Sequence, residues 1–247
     1  MEAFFPERLR DLSEQSIRQS RFTFTGFLTP EEISELQRRR KTLAPFTLFG
    51  GAPGTERCIA RFGSEEEMGY SVPFPIVCLK ISPLSERFSD ALTHRDFLGA
   101  LMHTGIERDR VGDVVVRVNT AYVFAHETIA PFLAENVTRV KNTAVSAGIC
   151  DEIPEGALFT TVPFEGIAAS DRLDCIVGAV HRLSRGAAAE LFREQKIFVN
   201  GAVCENLSYS VKPGDVISVR GKGKFVFTGI QGSTKKGRAV FTAEIYR

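Results

Sequence analysis

The sequence predicts an α+β protein of three small domains: an N-terminal α/β unit over residues 1–73, a central βαββαβ unit over 74–164, and a C-terminal αα-β unit over 165–247. Three observations carry that reading. Apolar residues switch between helical spacing (Phe97, Leu98, Leu101, Met102, then Leu173, Ile176, Val177, Val180) and the alternation of strands, as over 76–81. Turn signals such as Asn200-Gly201 and Pro213-Gly214-Asp215 separate short strands. With 247 residues and 43% hydrophobic content, the chain can bury two or three modest cores.

Composition narrows the function classes. No apolar run approaches the roughly 20 residues of a membrane span. The start, Met1-Glu2-Ala3-Phe4-Phe5-Pro6-Glu7-Arg8, lacks the basic-then-apolar order of a signal peptide. The 5 cysteines stand singly, without a Cys-x-x-Cys pair, and the 4 histidines do not cluster with them. Reduced thiols in a cytoplasmic protein are expected, with no metal and no cofactor. Net charge is only +1, yet residues 170–247 hold 13 Lys/Arg against 7 Asp/Glu, and the remainder holds 18 against 23. A basic C-terminal third on an acidic chain points to a local polyanion site.

A first helix is expected over 5–19. Thr29-Pro30-Glu31-Glu32 starts a second, with Thr29 as cap, Pro30 at the first helical position and Glu32 closing a capping box; it should run to Lys41. Strands follow over 46–49 and 57–62, joined by the glycine-rich 50–54, which lacks both a dinucleotide fingerprint and a phosphate-loop lysine. The central unit reads as a strand over 76–81, a helix capped by Thr93-His94-Arg95-Asp96, strands over 114–118 and 121–125 about an Asn119-Thr120 turn, a helix over 127–135 and a strand over 137–145. This order is the split βαβ arrangement, a ferredoxin-like (RRM-like) plait common among RNA-binding sheets. Its central strands offer only Tyr122 and Phe124 as aromatics, so base stacking on the sheet is not expected. A strand over 157–163 and a hinge over 166–170 lead to the last unit.

There, Ser170 is expected to cap one helix and Ser184 another that starts with Arg185. A capping serine beside an arginine at a helix N-terminus joins free N–H groups, the positive dipole end and a forked cation, which suits phosphate. Arg172 and Arg182 stay off the first helix's apolar stripe. Beyond the Asn200-Gly201 hairpin, Arg220-Gly221-Lys222-Gly223-Lys224 alternates cations with glycines, and Lys235-Lys236 stands in another basic tip. Cations so arranged around one small frame predict phosphate contacts with strong salt dependence and little base reading.

Arg172-Leu173-Asp174, Ser184-Arg185-x-x-Ala188-x-x-Leu191, Val199-Asn200-Gly201 and Val211-x-Pro213-Gly214-Asp215-x-Ile217 resemble the signature of the S4 (S-four) RNA-binding domain, over about residues 168–225. The resemblance implies contacts to structured RNA from Arg172, Arg182, Ser184, Arg185 and Lys196, and Asn200 is a further candidate RNA-binding residue. Gln195 departs from it, standing where the family usually has glycine. Over the full length, Gly26-Phe27-Leu28-Thr29-Pro30-Glu31-Glu32, Thr93-His94-Arg95-Asp96-Phe97-Leu98-Gly99-Ala100-Leu101 and Arg220-Gly221-Lys222-Gly223-Lys224-Phe225 resemble the bacterial YlmH family. That resemblance implies a ribosome-associated role on the large subunit, in translation quality control on stalled nascent-chain complexes, with rRNA or tRNA as partner; the family also carries a link to cell division.

Enzymes that carry S4 domains need a second, recognisable site. Here there is no Rossmann glycine fingerprint, Asp174 is expected to pair with a neighbouring cation, and His94 with Asp96 lacks a third orienting group. The expectation is a monomeric, non-enzymatic RNA-binding protein. An RNA-modifying enzyme of pseudouridine synthase or methyltransferase type, and a cell-division scaffold, are the alternatives.

Overall fold

The structure, a computed structural model, describes residues 4–150, 153, 158 and 160–246. It divides into two compact units, Met1–Phe159 and Thr160–Arg247.

In the first unit, α1 (Phe4–Gln19), β1 (Thr23–Leu28), α2 (Pro30–Arg38), β2 (Phe46–Phe49), β3 (Cys58–Phe62) and α3 (Glu65–Met68) surround an antiparallel sheet of order β1-β3-β2. The capping box at α2 forms as expected: the Glu32 N–H donates to Thr29 Oγ1 at 3.2 Å, and the Thr29 N–H donates to Glu32 Oε2 at 2.7 Å. The helix stops at Arg38 rather than Lys41, because Arg38 and Arg39 both reach back to Glu35 and 40–42 tighten into a 3₁₀ turn. β1 had no clear signal in the sequence: Gly26 interrupts its alternation, and the strand accommodates it by an irregularity in its pairing with β3 between Phe24 and Phe27.

The second sheet of this unit comprises β4 (Ile76–Pro83), β5 (Val111–Arg117), β6 (Thr120–His126), β7 (Arg139–Val140) and β8 (Thr143–Ile149), with α4 (His94–His103) and α5 (Ala130–Asn136) between them. Its order β5-β6-β4-β8-β7 sets β4 between β6 and β8, all antiparallel. Three expectations shift. The β5–β6 turn is centred on Val118 and Asn119, both with left-handed φ, since Arg117 already pairs with Thr120. α5 starts at Ala130, three residues late, with Pro131 suited to its first turn. The single strand expected over 137–145 is a hairpin, since Lys141 takes φ 52° and turns the chain so that Val140 pairs with Thr143.

One face of this sheet, with Leu79, Ile81, Val123 and Ala125, is buried under Phe97 and Leu101 of α4 and Leu133 of α5. The other face presents Cys78, Tyr122 and Phe124, packed against Phe27, Ala52 and Ile59 from the first sheet and its hairpin loop. Tyr122 is 6% exposed and Phe124 1%, so neither ring is open to a base. Asp113 of β5 accepts the backbone N–H groups of Glu56 and Arg57, and Arg57 donates to the Phe27 carbonyl at 2.8 Å. Burial and the neighbouring Arg57 charge lower Arg108 to about 10. These arginines serve the fold, not a polyanion.

The second unit holds β9 (Thr161–Ala168), α6 (Leu173–Val180), α7 (Arg185–Arg193), β10 (Ile197–Val199), β11 (Ala202–Val203), β12 (Val216–Val219), β13 (Gly223–Ser233) and β14 (Ala239–Tyr246). They form one antiparallel sheet, β11-β10-β12-β13-β14-β9. β9 pairs with β14 from Thr161 to Ala168, so the hinge expected over 166–170 contracts to the residues after Ala168. Residues 157 and 159 of the strand expected over 157–163 lie outside the described residues. Phe225, Phe227 and Phe241 fill the core against Ile176, Val177 and Phe192, at about 1.5–3 kcal/mol of burial for each large apolar side chain. The loops that carry the basic residues therefore leave a rigid platform.

Candidate nucleic-acid interface

α6 begins two residues later than expected. Arg172 is its N-cap, and Ser170 instead accepts the Arg172 N–H at 3.3 Å, a local turn that satisfies one donor ahead of the helix. Arg172 forks onto Asp174, with Nε to Oδ1 at 3.1 Å and Nη2 to Oδ2 at 2.9 Å. The expected pairing of Asp174 with a cation is thus present. It raises Arg172 above the ordinary arginine range; burial would raise Asp174, but the hydrogen bond and charge of Arg172 together with hydrogen bonding to Cys175 lower it. A phosphate would have to compete with that carboxylate.

The turn from α6 to α7 gathers cations that have no such competitor. His181 ends α6, Arg182 follows with φ 53°, and the Leu183 N–H closes onto the Gly178 carbonyl at 2.8 Å. This is the six-to-one bond of a left-handed helix exit, a place where glycine is usual. Ser184 then caps α7, its Oγ accepting the Ala187 N–H at 3.2 Å. The first-turn N–H groups of Arg185 and Gly186 have no intrahelical acceptor, and Gly186 has open space where a Cβ would stand, so an anion can come close. Lys222, from the β12–β13 turn, sits near enough that its charge, after burial, lowers the His181 pKa. Both effects disfavour the protonated ring of His181, whose Nε2 is buried without a hydrogen-bond partner among the described residues and which lies edge-on to Phe225 at 5.9 Å. Arg182, Arg185 and Lys222 are exposed and make no ion pair among the described residues.

The other expected residues fall into different roles. Lys196 pairs with Glu194 at 2.8 Å, and its carbonyl accepts the Arg220 N–H, which brings Lys196 and Arg220 together; Arg220 lies over Phe198 at 5.3 Å. Lys224 lies over Tyr246 at 4.3 Å. Asn200 and Gly201 form the expected two-residue hairpin with φ 50° and 83°. The Asn200 side chain is held at both ends, donating to Asp215 Oδ1 at 2.8 Å and accepting the Val216 N–H at 2.9 Å. Arg172 stands at the opposite end of α6 from Arg182, roughly 12 Å along the helix. Lys235 and Lys236 tip the β13–β14 hairpin, at the far end of β13 from Lys222 and Lys224, roughly 35 Å of extended strand.

Gln195, the departure from the usual glycine, adopts φ 53° all the same, with the Lys196 N–H closing onto the Leu191 carbonyl at 2.9 Å. A left-handed L-residue costs about 1–2 kcal/mol, partly offset by the extra unfolded-state freedom of glycine. Gln195→Gly is therefore expected to stabilise the second unit by about 0.5–1 kcal/mol in a urea melt. Arg182→Gly, at the matching exit of α6, should give a similar gain in stability while lowering RNA affinity. Opposite signs in the two assays would show an arginine kept at a strained position for its charge.

Among the described residues no group of three or more His, Cys, Asp or Glu side chains could hold a metal ion, and no helix is long and apolar enough to cross a membrane. All five cysteines are free thiols, with burial pushing Cys58 up to about 11 and Cys78 up to about 12.

Helix exits, a capped arginine and unpaired cations on a small β platform define an RNA-binding protein of the S4 class. Residues 172–217 match the S4 domain, and residues 72–151 match the family described as "Putative RNA-binding domain in YlmH". The two matches stand in this order along the chain, so it carries a domain of the kind found in YlmH followed by an S4 domain. It is 31% identical over 169 residues to "Ribosome-associated protein quality control protein P2" of Bacillus subtilis (strain 168); the alignment covers 67% of this chain and 66% of that relative, just under two thirds of its length. Among solved structures, "Cell division protein ylmH from Streptococcus pneumoniae" is similar at 19% identity and TM-score 0.49, over 60% of this chain and 90% of that one.

Proposed function

We propose that this protein is a non-enzymatic, cytoplasmic factor that binds structured rRNA or tRNA on the large ribosomal subunit and acts in quality control of stalled nascent-chain complexes. The observation that carries the reading is the trio Arg182, Arg185 and Lys222 around the α6–α7 turn, unpaired and exposed beside a helix N-terminus. The name of the Bacillus subtilis relative supports the ribosomal setting. Three working domains fit this role: 1–73, a ferredoxin-like 74–164 and an S4 unit, with the last boundary moved from 165 to Thr160 so that β9 stays whole. The monomer is taken as the working form. Arg220, Lys224, Lys235 and Lys236 extend the phosphate-facing surface on this reading, and Arg172 joins it when RNA displaces Asp174.

Sedimentation with separated ribosomal subunits tests it. Binding to large subunits that falls steeply with salt is expected; equal retention on both subunits, or binding that survives nuclease treatment, would overturn it in favour of a protein scaffold.

A further inference from the structure

The sheet face that carries Tyr122 and Phe124 is closed by the N-terminal hairpin and first sheet. Any RNA that residues 72–151 meet must use another surface, and the helical layer opposite offers one. Between α4, α5 and β7 runs an open groove of about 680 Å³. Its α4 side is low, because Gly99 is exposed with nothing within 4 Å of where a Cβ would stand. Arg95 and Arg139 line it, both exposed and without an ion pair among the described residues. Lys141 lines it too, fixed by the φ 52° turn between β7 and β8.

The one acidic side chain in the lining, Asp96, is already engaged. Its Oδ2 accepts the Thr93 N–H at 2.8 Å and the Thr93 hydroxyl at 2.6 Å, and lies 3.4 Å from Lys141 Nζ. From α5 comes Phe132, a large aromatic ring left 44% exposed. The Asn136 amide is turned back onto the Phe132 carbonyl at 2.8 Å, which anchors the end of α5. Cations alone would suit any anion. An exposed ring sharing a groove with two unpaired arginines adds a stacking surface for a base, the pairing that single-stranded nucleic acid requires.

We propose that this groove is a second RNA site, for a short single-stranded segment whose base stacks on Phe132 and whose phosphates meet Arg95, Arg139 and Lys141. The proposal rests on the RNA-binding reading above and extends it to a surface of the first unit, outside the residues of the S4 signature. It assigns the α4–α5 groove to unpaired RNA and the α6–α7 turn to folded RNA.

The test uses the full chain with two labelled probes, a single-stranded oligouridylate and an RNA hairpin, titrated by fluorescence anisotropy over a salt series. Arg95→Glu with Arg139→Glu should weaken oligouridylate binding at least tenfold and flatten its salt slope by about 1.4, two contacts at roughly 0.7 each. Hairpin binding should stay unchanged. Phe132→Ala should weaken oligouridylate about tenfold with the slope unaltered, as loss of stacking would, and Arg95→Lys with Arg139→Lys should restore most binding. Photo-crosslinking of the oligouridylate to a peptide that contains Phe132 would support the site directly. If the groove variants bind oligouridylate as the parent does, while α6–α7 variants still lose the hairpin, the inference fails and the RNA-binding reading stands. If neither set alters either probe, both fail. Groove-dependent binding of polyglutamate in place of oligouridylate would overturn the RNA assignment for a protein partner.

Discussion

Arg182→Ala, Arg185→Ala and Lys222→Ala together should lower affinity for the large ribosomal subunit on the order of a thousandfold and leave the melting temperature unchanged within error. Each side chain is exposed and free of ion pairs among the described residues, so its removal breaks no partner within the fold. Each charge-assisted hydrogen bond to phosphate contributes about 1.5–3 kcal/mol, so losing three removes about 4.5 kcal/mol at the low end of that range, and 1.4 kcal/mol is tenfold. The dependence of log K on log salt should shallow by about 2–3, since each phosphate contact contributes 0.7–0.9. Alanine at Arg182 keeps a left-handed L-residue, so backbone strain is the same in the variant and the comparison isolates charge. The matched control is Lys235→Ala with Lys236→Ala, at the far end of β13, which should cost tenfold or less. Equal losses from both sets would mean that the basic unit attracts RNA through diffuse charge, with no defined face. The unchanged melt is as necessary as the lost affinity, because a variant that unfolds cannot report on a contact.

What the sequence revealed and what it hid divide along one physical line. Local chemistry was legible: the Thr29–Glu32 capping box, the Ser184 cap, the Asn200-Gly201 turn and the last strand all depend on residues within a few positions of one another. The hidden features depend on partners brought together by tertiary packing. No periodicity reveals that Tyr122 and Phe124 lie under Phe27 and Ile59, so the central sheet's RNA-facing side could be doubted but not seen to be closed. The α4–α5 groove joins Arg95 to Arg139 across more than forty positions, and its only trace in sequence was a basic pair around Val140. Side-chain competition was equally unseen for Lys196, whose neighbour Glu194 folds back onto it beyond the α7 exit. Arg172 and Asp174 have the same two-residue spacing, but they stand together at the start of α6, and there the pairing was predictable.

Asp215→Ala should destabilise the second unit by about 3–5 kcal/mol, the largest stability effect expected of a single substitution there. Asp215 is 7% exposed and its carboxylate accepts three donors: Asn200 Nδ2 at 2.8 Å, the Tyr209 hydroxyl at 2.9 Å and the Lys212 N–H at 2.8 Å. Truncation removes three hydrogen bonds to a charged acceptor, each worth about 1.5–3 kcal/mol and less where water can reach the donor, as at the exposed Asn200 and Lys212. Against a total stability of about 5–15 kcal/mol, that loss decides whether the unit stays folded at growth temperature. Urea melts followed by circular dichroism would measure it; a shift under 1 kcal/mol would show that water replaces the carboxylate readily. The same network explains Asn200. Asn200→Ala should lower stability, while RNA affinity measured well below the melt stays near that of the parent, because both ends of its amide already serve the fold. Alkaline pH probes the network without mutation. Burial, followed by the Asp215 contact, pushes Tyr209 up to about 12. A raised folded-state value means its stabilisation is complete below the ordinary tyrosine range near 10, and is lost as pH rises from there through about 12. Tyr209→Phe should flatten that alkaline decline, and a decline that persists unchanged would place its origin in other groups.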